Sequence, residues 1–253
     1  MKIWRSELGH SYKTYSFGYT EYASLETGDK LEDIYACGFL PFSGSPHIKN
    51  VFYMARSVRV NLKKFAESSE NRRILKKFGE ELVRQETPIN HFTADSEFEN
   101  FCLQYFKKRH GPSVMPRERL RHILEKESVT HIVSYLKDGK ILGYVFLVRD
   151  TECLHFWFSF YDLYLVRQSL GMYLMLDAVR AGKKDGLKYV YLGTAYGEKG
   201  LYKLNFPGLE FWDGERWNPD TKVLKNLCKS DDRRVLNQND LWKEELPFFQ
   251  ADV

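Results

Sequence analysis

Two β-rich runs, 130–136 and 141–148, meet across Lys137-Asp138-Gly139-Lys140. An Asp-Gly pair suits a two-residue hairpin turn, because both central positions need positive φ; Gly adopts it freely and Asp tolerates it. The pair predicts an antiparallel hairpin, and whatever surrounds a hairpin this apolar must cover a sheet. A third apolar run, 154–161, follows directly. After it, a helix is expected over 169–184, with Leu170, Tyr173, Leu174, Asp177 and Val179-Arg180 along it. Gly186 is placed to end that helix in a left-handed residue, and Tyr189-Val190-Tyr191-Leu192 reads as a short strand. Upstream, Asp95 can cap a helix in which Phe98, Phe101, Cys102, Tyr105 and Phe106 recur at helical spacing. Pro116 opens another, with Leu120, Ile123 and Leu124 inward.

Residues 1–60 read as short extended pieces separated by turns. The run 51–60 alternates β-formers with Arg56 and Arg59, the pattern of a half-buried strand. Ser68 or Ser69 can cap a helix with Ile74, Leu75, Phe78 and Leu82 on one face and Arg72, Arg73, Lys76 and Lys77 on the other. Thr87-Pro88 then breaks the chain, and a boundary near residue 90 divides it into 1–90 and 91–253.

At 253 residues, 43% hydrophobic and 15% aromatic, the chain can bury substantial cores and does not have a disordered composition. No apolar run is as long as a membrane span, and the first residues lack the apolar stretch of a secretory signal. A cytoplasmic protein with no membrane partner is expected. Cys37, Cys102, Cys153 and Cys228 are far apart, with no CxxC or CxxH spacing, so they read as buried thiols and no metal is expected. The formal charge of +4 permits a polyanionic partner. Hydrolase, zinc-protease and ATPase readings are unsupported, since no G-x-S-x-G, HExxH or Walker A phrase occurs.

The order helix, helix, hairpin, strand, helix, strand resembles the GNAT acyltransferase fold. That implies an α+β architecture: a mixed central sheet flanked by helices, joined to a smaller N-terminal α+β region. GNAT enzymes hold the pyrophosphate of coenzyme A on backbone N–H groups of a Q/R-x-x-G-x-G/A turn. Here the turn reads Gln168-Ser169-Leu170-Gly171-Met172-Tyr173. Tyr173 stands where a small residue is usual and is expected to crowd a phosphate.

A more specific resemblance covers 160–217. Phe160-Tyr161-Asp162, six residues, then Ser169-Leu170-Gly171-Met172-Tyr173 is similar to a phrase of the arginyl-tRNA–protein transferases and their bacterial leucyl-transferring relatives. So are Tyr189-Val190-Tyr191-Leu192-Gly193 and the stretch from Lys199 through Tyr202-Lys203 and Phe206-Pro207 to Glu210. More weakly, Gly38-Phe39, Ser43-Gly44, Arg59, Phe65 and 71–77 resemble the family's N-terminal region. The family's cysteine pairs, which hold an iron–sulfur cluster in some members, are absent, and Ala195-Tyr196-Gly197-Glu198 replaces its usual residues.

The resemblance implies transfer of an amino acid, arginine first and leucine second, from aminoacyl-tRNA to the N-terminal α-amine of a protein or peptide, with no cofactor. Residues 1–90 would be an acceptor-recognition-like region and 91–253 the aminoacyltransferase domain. Asp162, Tyr202 and Lys203 are the candidate catalytic residues. Asp162 would bind and help deprotonate the amine, or hold the amine of the aminoacyl group, or serve as an N-cap or turn aspartate. Tyr202 would steady the oxyanion or protonate the leaving hydroxyl, while Lys203 would meet a terminal phosphate or pair with Glu210. Gln168, Ser169, Leu170, Gly171, Tyr173, Tyr191 and Glu210 are candidates for substrate binding. For tRNA, three basic clusters are available: Arg72, Arg73, Lys76 and Lys77; Lys107, Lys108 and Arg109 with Arg117, Arg119 and Arg121; and Lys183 with Lys184. The alternatives are an acyl-coenzyme A N-acyltransferase and a non-catalytic binder of RNA or a peptide terminus.

Overall fold

The computed structural model describes residues 1–11, 16–44, 49–79, 81–125 and 128–234. By internal contacts the chain forms two compact units. Unit 1 takes residues 1–42, 50–65 and 192–253, and unit 2 takes 43–49 and 66–191. The chain passes between them at 42/43, 49/50, 65/66 and 191/192. The fold is α+β.

In unit 1, β1 (Lys2–Ser11) and β2 (Ser16–Ser24) pair as an antiparallel hairpin, and α1 (Leu31–Ala36) follows. β3 (Phe39–Pro41) and β4 (Phe52–Met54) complete a sheet of order β1-β2-β4-β3. β5 (Ser57–Asn61) pairs antiparallel with β11 (Leu209–Trp212), which pairs with β12 (Trp217–Asn218); α6 (Thr221–Arg234) comes last. The expected single strand over 51–60 is therefore two strands, broken at Ala55-Arg56. Arg56 and Arg59 do not face solvent; both are buried. Their alternation marks ionic partners inside the unit, described below, rather than a wet face.

Unit 2 begins with α2 (Ser69–Phe78), capped by Ser68, whose Oγ accepts from the Asn71 N–H while Asn71 answers the Ser68 N–H. Residues 83–88 do not break the chain. They form β6 (Val83–Pro88), an edge strand on which Pro88 sits at the end, where a lost donor is tolerated. α3 (Ser96–His110) is capped by Asp95 and α4 (Arg117–Glu125) follows Pro116. β7 (His131–Lys137), β8 (Lys140–Arg149) and β9 (Cys153–Tyr161) are antiparallel neighbours, and the Lys137↔Lys140 pairing leaves Asp138-Gly139 as the turn, at φ 51° and 77°. α5 (Leu170–Lys184) then crosses to β10 (Tyr189–Thr194), which pairs parallel with β9 and carries the chain into unit 1 at Leu192. α5 ends as expected: Gly186 has φ 74°, the Leu187 N–H reaches the Gly182 carbonyl and the Gly186 N–H that of Lys183.

The sheet of unit 2 is covered on both faces. Phe98, Cys102 and Phe106 of α3 pack with Ile132, Tyr144, Phe146 and Phe160. The alternate strand residues Tyr135 and Gly143 meet α5 at Asp177 and Leu174. Burial on both faces explains why β8 reads as a continuous apolar run.

Candidate functional site

The sequence-predicted residues divide between the units. In unit 2, Asp162 directly follows β9. Its N–H donates to the Leu142 carbonyl, its carbonyl accepts from Leu165, and its Oδ1 accepts the Tyr164 N–H at 2.9 Å. One carboxylate oxygen thus builds an Asx turn that starts the 3-10 turn Leu163–Gln168, which realises the turn-aspartate alternative. Gln168 closes that turn. Ser169 is the α5 N-cap in a left-handed conformation (φ 68°, ψ 29°), with no side-chain cap, and its carbonyl accepts the first helical bond from Tyr173.

Three of the proposed binding residues face the core. Leu170 is fully buried, Tyr191 lies buried on β10, and Tyr173 packs its ring 5.2 Å from Phe78 and 6.3 Å from Tyr135. Burial, with Asp177 nearby, pushes the Tyr173 phenol up to about 12. The expectation that Tyr173 crowds the helix start is therefore corrected, since its ring points into the core. Tyr161 takes that place instead. A Cβ on Gly171 would lie 2.6 Å from the Tyr161 hydroxyl oxygen, so the glycine admits a tyrosine over the first turn of α5.

In unit 1, Tyr202 and Lys203 sit on the 3-10 turn Glu198–Asn205. Tyr202 is 44% exposed, whereas Lys203 is buried, its Nζ donating to the Thr194 carbonyl at 2.5 Å and standing 5.7 Å from the Tyr202 ring centroid. Burial lowers the Lys203 amine to about 8. The expected alternative of a Lys203–Glu210 pair is not formed. Glu210 instead accepts from Arg59 Nε and Nη2 on Oε2, both at 3.0 Å, and from Asn61 (3.1 Å) and Lys64 (3.0 Å) on Oε1. Burial pushes its carboxyl up, but the hydrogen bonds from Lys64, Asn61 and Arg59 outweigh this and hold it below the usual carboxylate range. With its acceptor positions taken, Glu210 ties β5 to β11. The Arg59 guanidinium also lies over the Trp217 ring at 4.0 Å.

The basic clusters also separate. α2 and α5 pack together in unit 2. They run antiparallel, since Phe78 meets Tyr173 at one end and Glu67 pairs with Arg180 at the other. Arg72, Arg73, Lys76 and Lys77 thereby share a two-helix ridge with Arg180, Lys183 and Lys184, all exposed. Lys107, Lys108 and Arg109 are exposed as well, at the end of α3. Arg117 and Arg121 are tied to the buried Glu99, and Arg119 to Ser43 and the Val114 carbonyl, so these three brace the fold. A cleft in unit 2, about 760 Å³, is lined by ion pairs such as Arg84–Glu86 and Arg149–Asp185, and Arg180 and Lys184 of the ridge stand at its wall.

Residues that sequence reasoning missed are Tyr161 and, in unit 1, Arg56 and Asp231. Arg56 is buried and paired with Asp231 of α6 at 2.7 Å.

Residues 69–203, more than half of the chain, match the acetyltransferase (GNAT) domain family. The chain belongs to that family. The GNAT match takes in Asp162, the Gln168–Tyr173 turn and Tyr202-Lys203, and leaves Arg56, Glu210 and Asp231 outside. Among curated proteins, the aspartate/glutamate leucyltransferase of Dinoroseobacter shibae is 28% identical over 180 residues, covering 64% of this chain and 62% of that protein. That of Ruegeria pomeroyi is 30% identical over 173 residues, covering 65% and 62%. That of Rhizobium meliloti is 32% identical over 165 residues, covering 59% and 61%. The chain thus spans about 62% of the length of the first two. A crystal structure of FemX superposes with a TM-score of 0.48 at 8% identity, over 76% of this GNAT chain and 68% of that one. Among the described residues no helix is long and apolar enough to cross a membrane.

Proposed function

We propose that this GNAT protein transfers an aminoacyl group from aminoacyl-tRNA to the N-terminal α-amine of a protein or peptide, and that the group is leucine. The observation that carries this reading is the 28–32% identity to proteins named aspartate/glutamate leucyltransferase. The same name puts leucine ahead of arginine and makes an acceptor beginning with Asp or Glu the first to test.

The donor ester is already activated. The acceptor ammonium loses a proton, the amine attacks the ester carbonyl, and a tetrahedral oxyanion forms. The carbon–oxygen bond then breaks, and the ribose oxygen leaves with a proton. Positioning supplies much of the rate, up to roughly 7–11 kcal/mol in favourable cases. Asp162 is our candidate to receive the ammonium, because its Asx turn fixes the carboxyl through a single oxygen. Tyr202, in unit 1 and exposed on its turn, is an independent candidate, as donor to an oxyanion or a leaving oxygen. Lys203 is too buried to meet a phosphate in solvent, and we assign it to support Tyr202 from below. The α2–α5 ridge and Lys107–Arg109 offer surfaces for tRNA phosphates.

The family match itself favours a second reading, an acyl-coenzyme A acyltransferase. Tyr161 over Gly171 weighs against it, because it covers the helix start where a pyrophosphate would approach. Incubation with labelled leucyl-tRNA, arginyl-tRNA or acetyl-coenzyme A and a panel of peptides separates the readings. Leucine on the peptide amine is expected; label arriving only from coenzyme A would establish the second.

A further inference from the structure

We propose that Asp231, on α6, is a positioning residue that sets the Gly197–Asn205 segment, and with it Tyr202, by holding Arg56 and the Gly197 N–H together; this rests on the aminoacyl-transfer reading. Asp231 lies outside the GNAT match. Its Oδ2 accepts from Arg56 Nη1 at 2.7 Å and from the Gly197 N–H at 2.8 Å, and its Oδ1 accepts from Arg56 Nη2 at 3.1 Å. Arg56 in turn grips the loop that enters the 3-10 turn. Its Nη1 donates to the Ala195 carbonyl at 3.3 Å, its N–H to the Tyr196 hydroxyl at 2.8 Å, and its carbonyl accepts the Ala195 N–H at 3.0 Å. Cys228, one turn earlier on α6, adds a contact from Sγ to the Ala195 carbonyl at 3.5 Å.

Gly197 is the N-cap of the turn that carries Tyr202 and Lys203, and its carbonyl accepts the Gly200 N–H. The segment is closed at its other end by Lys203, whose amine returns to Thr194. There is little slack inside it, because a Cβ on Gly200 would already stand 3.3 Å from Ala195 Cα. A buried arginine deprived of its carboxylate is an uncompensated charge. Loss of the Asp231 charge therefore removes the carboxylate that Arg56 meets through two bonds and loosens the loop that both residues hold. An asparagine keeps an acceptor for Gly197 but cannot neutralise Arg56, so Asp231→Asn separates the two roles.

The test is a double-mutant cycle in the full chain, with Asp231→Asn, Tyr202→Phe and the pair, assayed for leucyl transfer alongside thermal unfolding. We expect Asp231→Asn to lower kcat about tenfold with KM for leucyl-tRNA within about twofold, and the double variant to be no slower than Tyr202→Phe by more than about twofold. Losses that multiply, or a wild-type kcat in Asp231→Asn, overturn the proposal. Should Asp231→Asn not fold, Arg56→Lys, which keeps the cation but loses the two-bond pairing, is expected to show the same kcat loss and the same coupling. A second readout needs no transfer activity. Acetylation of Lys203 by acetic anhydride, followed by peptide mass spectrometry, is expected to run about fivefold faster in the variant. An unchanged Lys203 labelling rate contradicts the positioning role whether or not the wild type transfers leucine, whereas absent wild-type transfer with faster labelling defeats only the transfer reading.

Discussion

Lys203 carries a pH signature of its own. Its amine is near 8 in the folded chain because burial disfavours the ammonium, against an ordinary value of 10.5. Between these values the unfolded chain binds the proton more strongly, so stability rises with pH across that window and is lowest, for this group, below about 8. The melting temperature of the wild type should climb relative to Lys203→Met from pH 8 to pH 10; parallel curves would show that the buried amine is not the source. Asp162 is tested differently. Asp162→Asn keeps an oxygen for the Tyr164 N–H while removing the charge, so transfer should fall at least about tenfold with folding intact, as expected for loss of a positioned acid–base group. Wild-type rates in that variant would leave Asp162 as a turn residue alone.

Short-range chemistry made the elements of unit 2 readable in advance. Asp138-Gly139, the Ser68 and Asp95 caps and the Gly186 stop all act within a few residues of chain, and each lies where its residue type requires. The misread features depend on distance. Arg56 and Arg59 look like the wet face of one strand because their carboxylates, Asp231 and Glu210, lie 175 and 151 residues further along the chain. Edge strand β6 has few apolar residues and exposes Val83, so no periodicity announced it. At the start of α5 the residue types were legible, but which tyrosine covers Gly171 was not, since that depends on how β9 and the helix pack. Gly171→Ala should destabilise the protein by about 1–3 kcal/mol, the usual cost of overpacking. Adding Tyr161→Leu should recover most of the loss in a denaturation experiment. No recovery would mean that the glycine is needed for another reason.

Across the whole molecule, the GNAT match and the leucyltransferase relatives bear on different questions. The first establishes the family over residues 69–203, and the second underlies the proposal for its acyl donor. The basic ridge of α2 and α5 presents seven exposed basic residues. If tRNA phosphates lie along it, reversing Lys76 and Lys184 to Glu should raise KM for charged tRNA and flatten its salt dependence, with each lost phosphate contact lowering the slope by about 0.9. A salt slope equal to that of wild type would remove the ridge from tRNA binding. The central claim, that the donor is an aminoacyl-tRNA, is tested most directly by mass spectrometry of an Asp- or Glu-starting peptide after incubation with leucyl-tRNA and the full chain. A mass gain of one leucine on the N-terminal amine is expected. An unchanged peptide, beside an acetylated one when acetyl-coenzyme A is supplied instead, would contradict it.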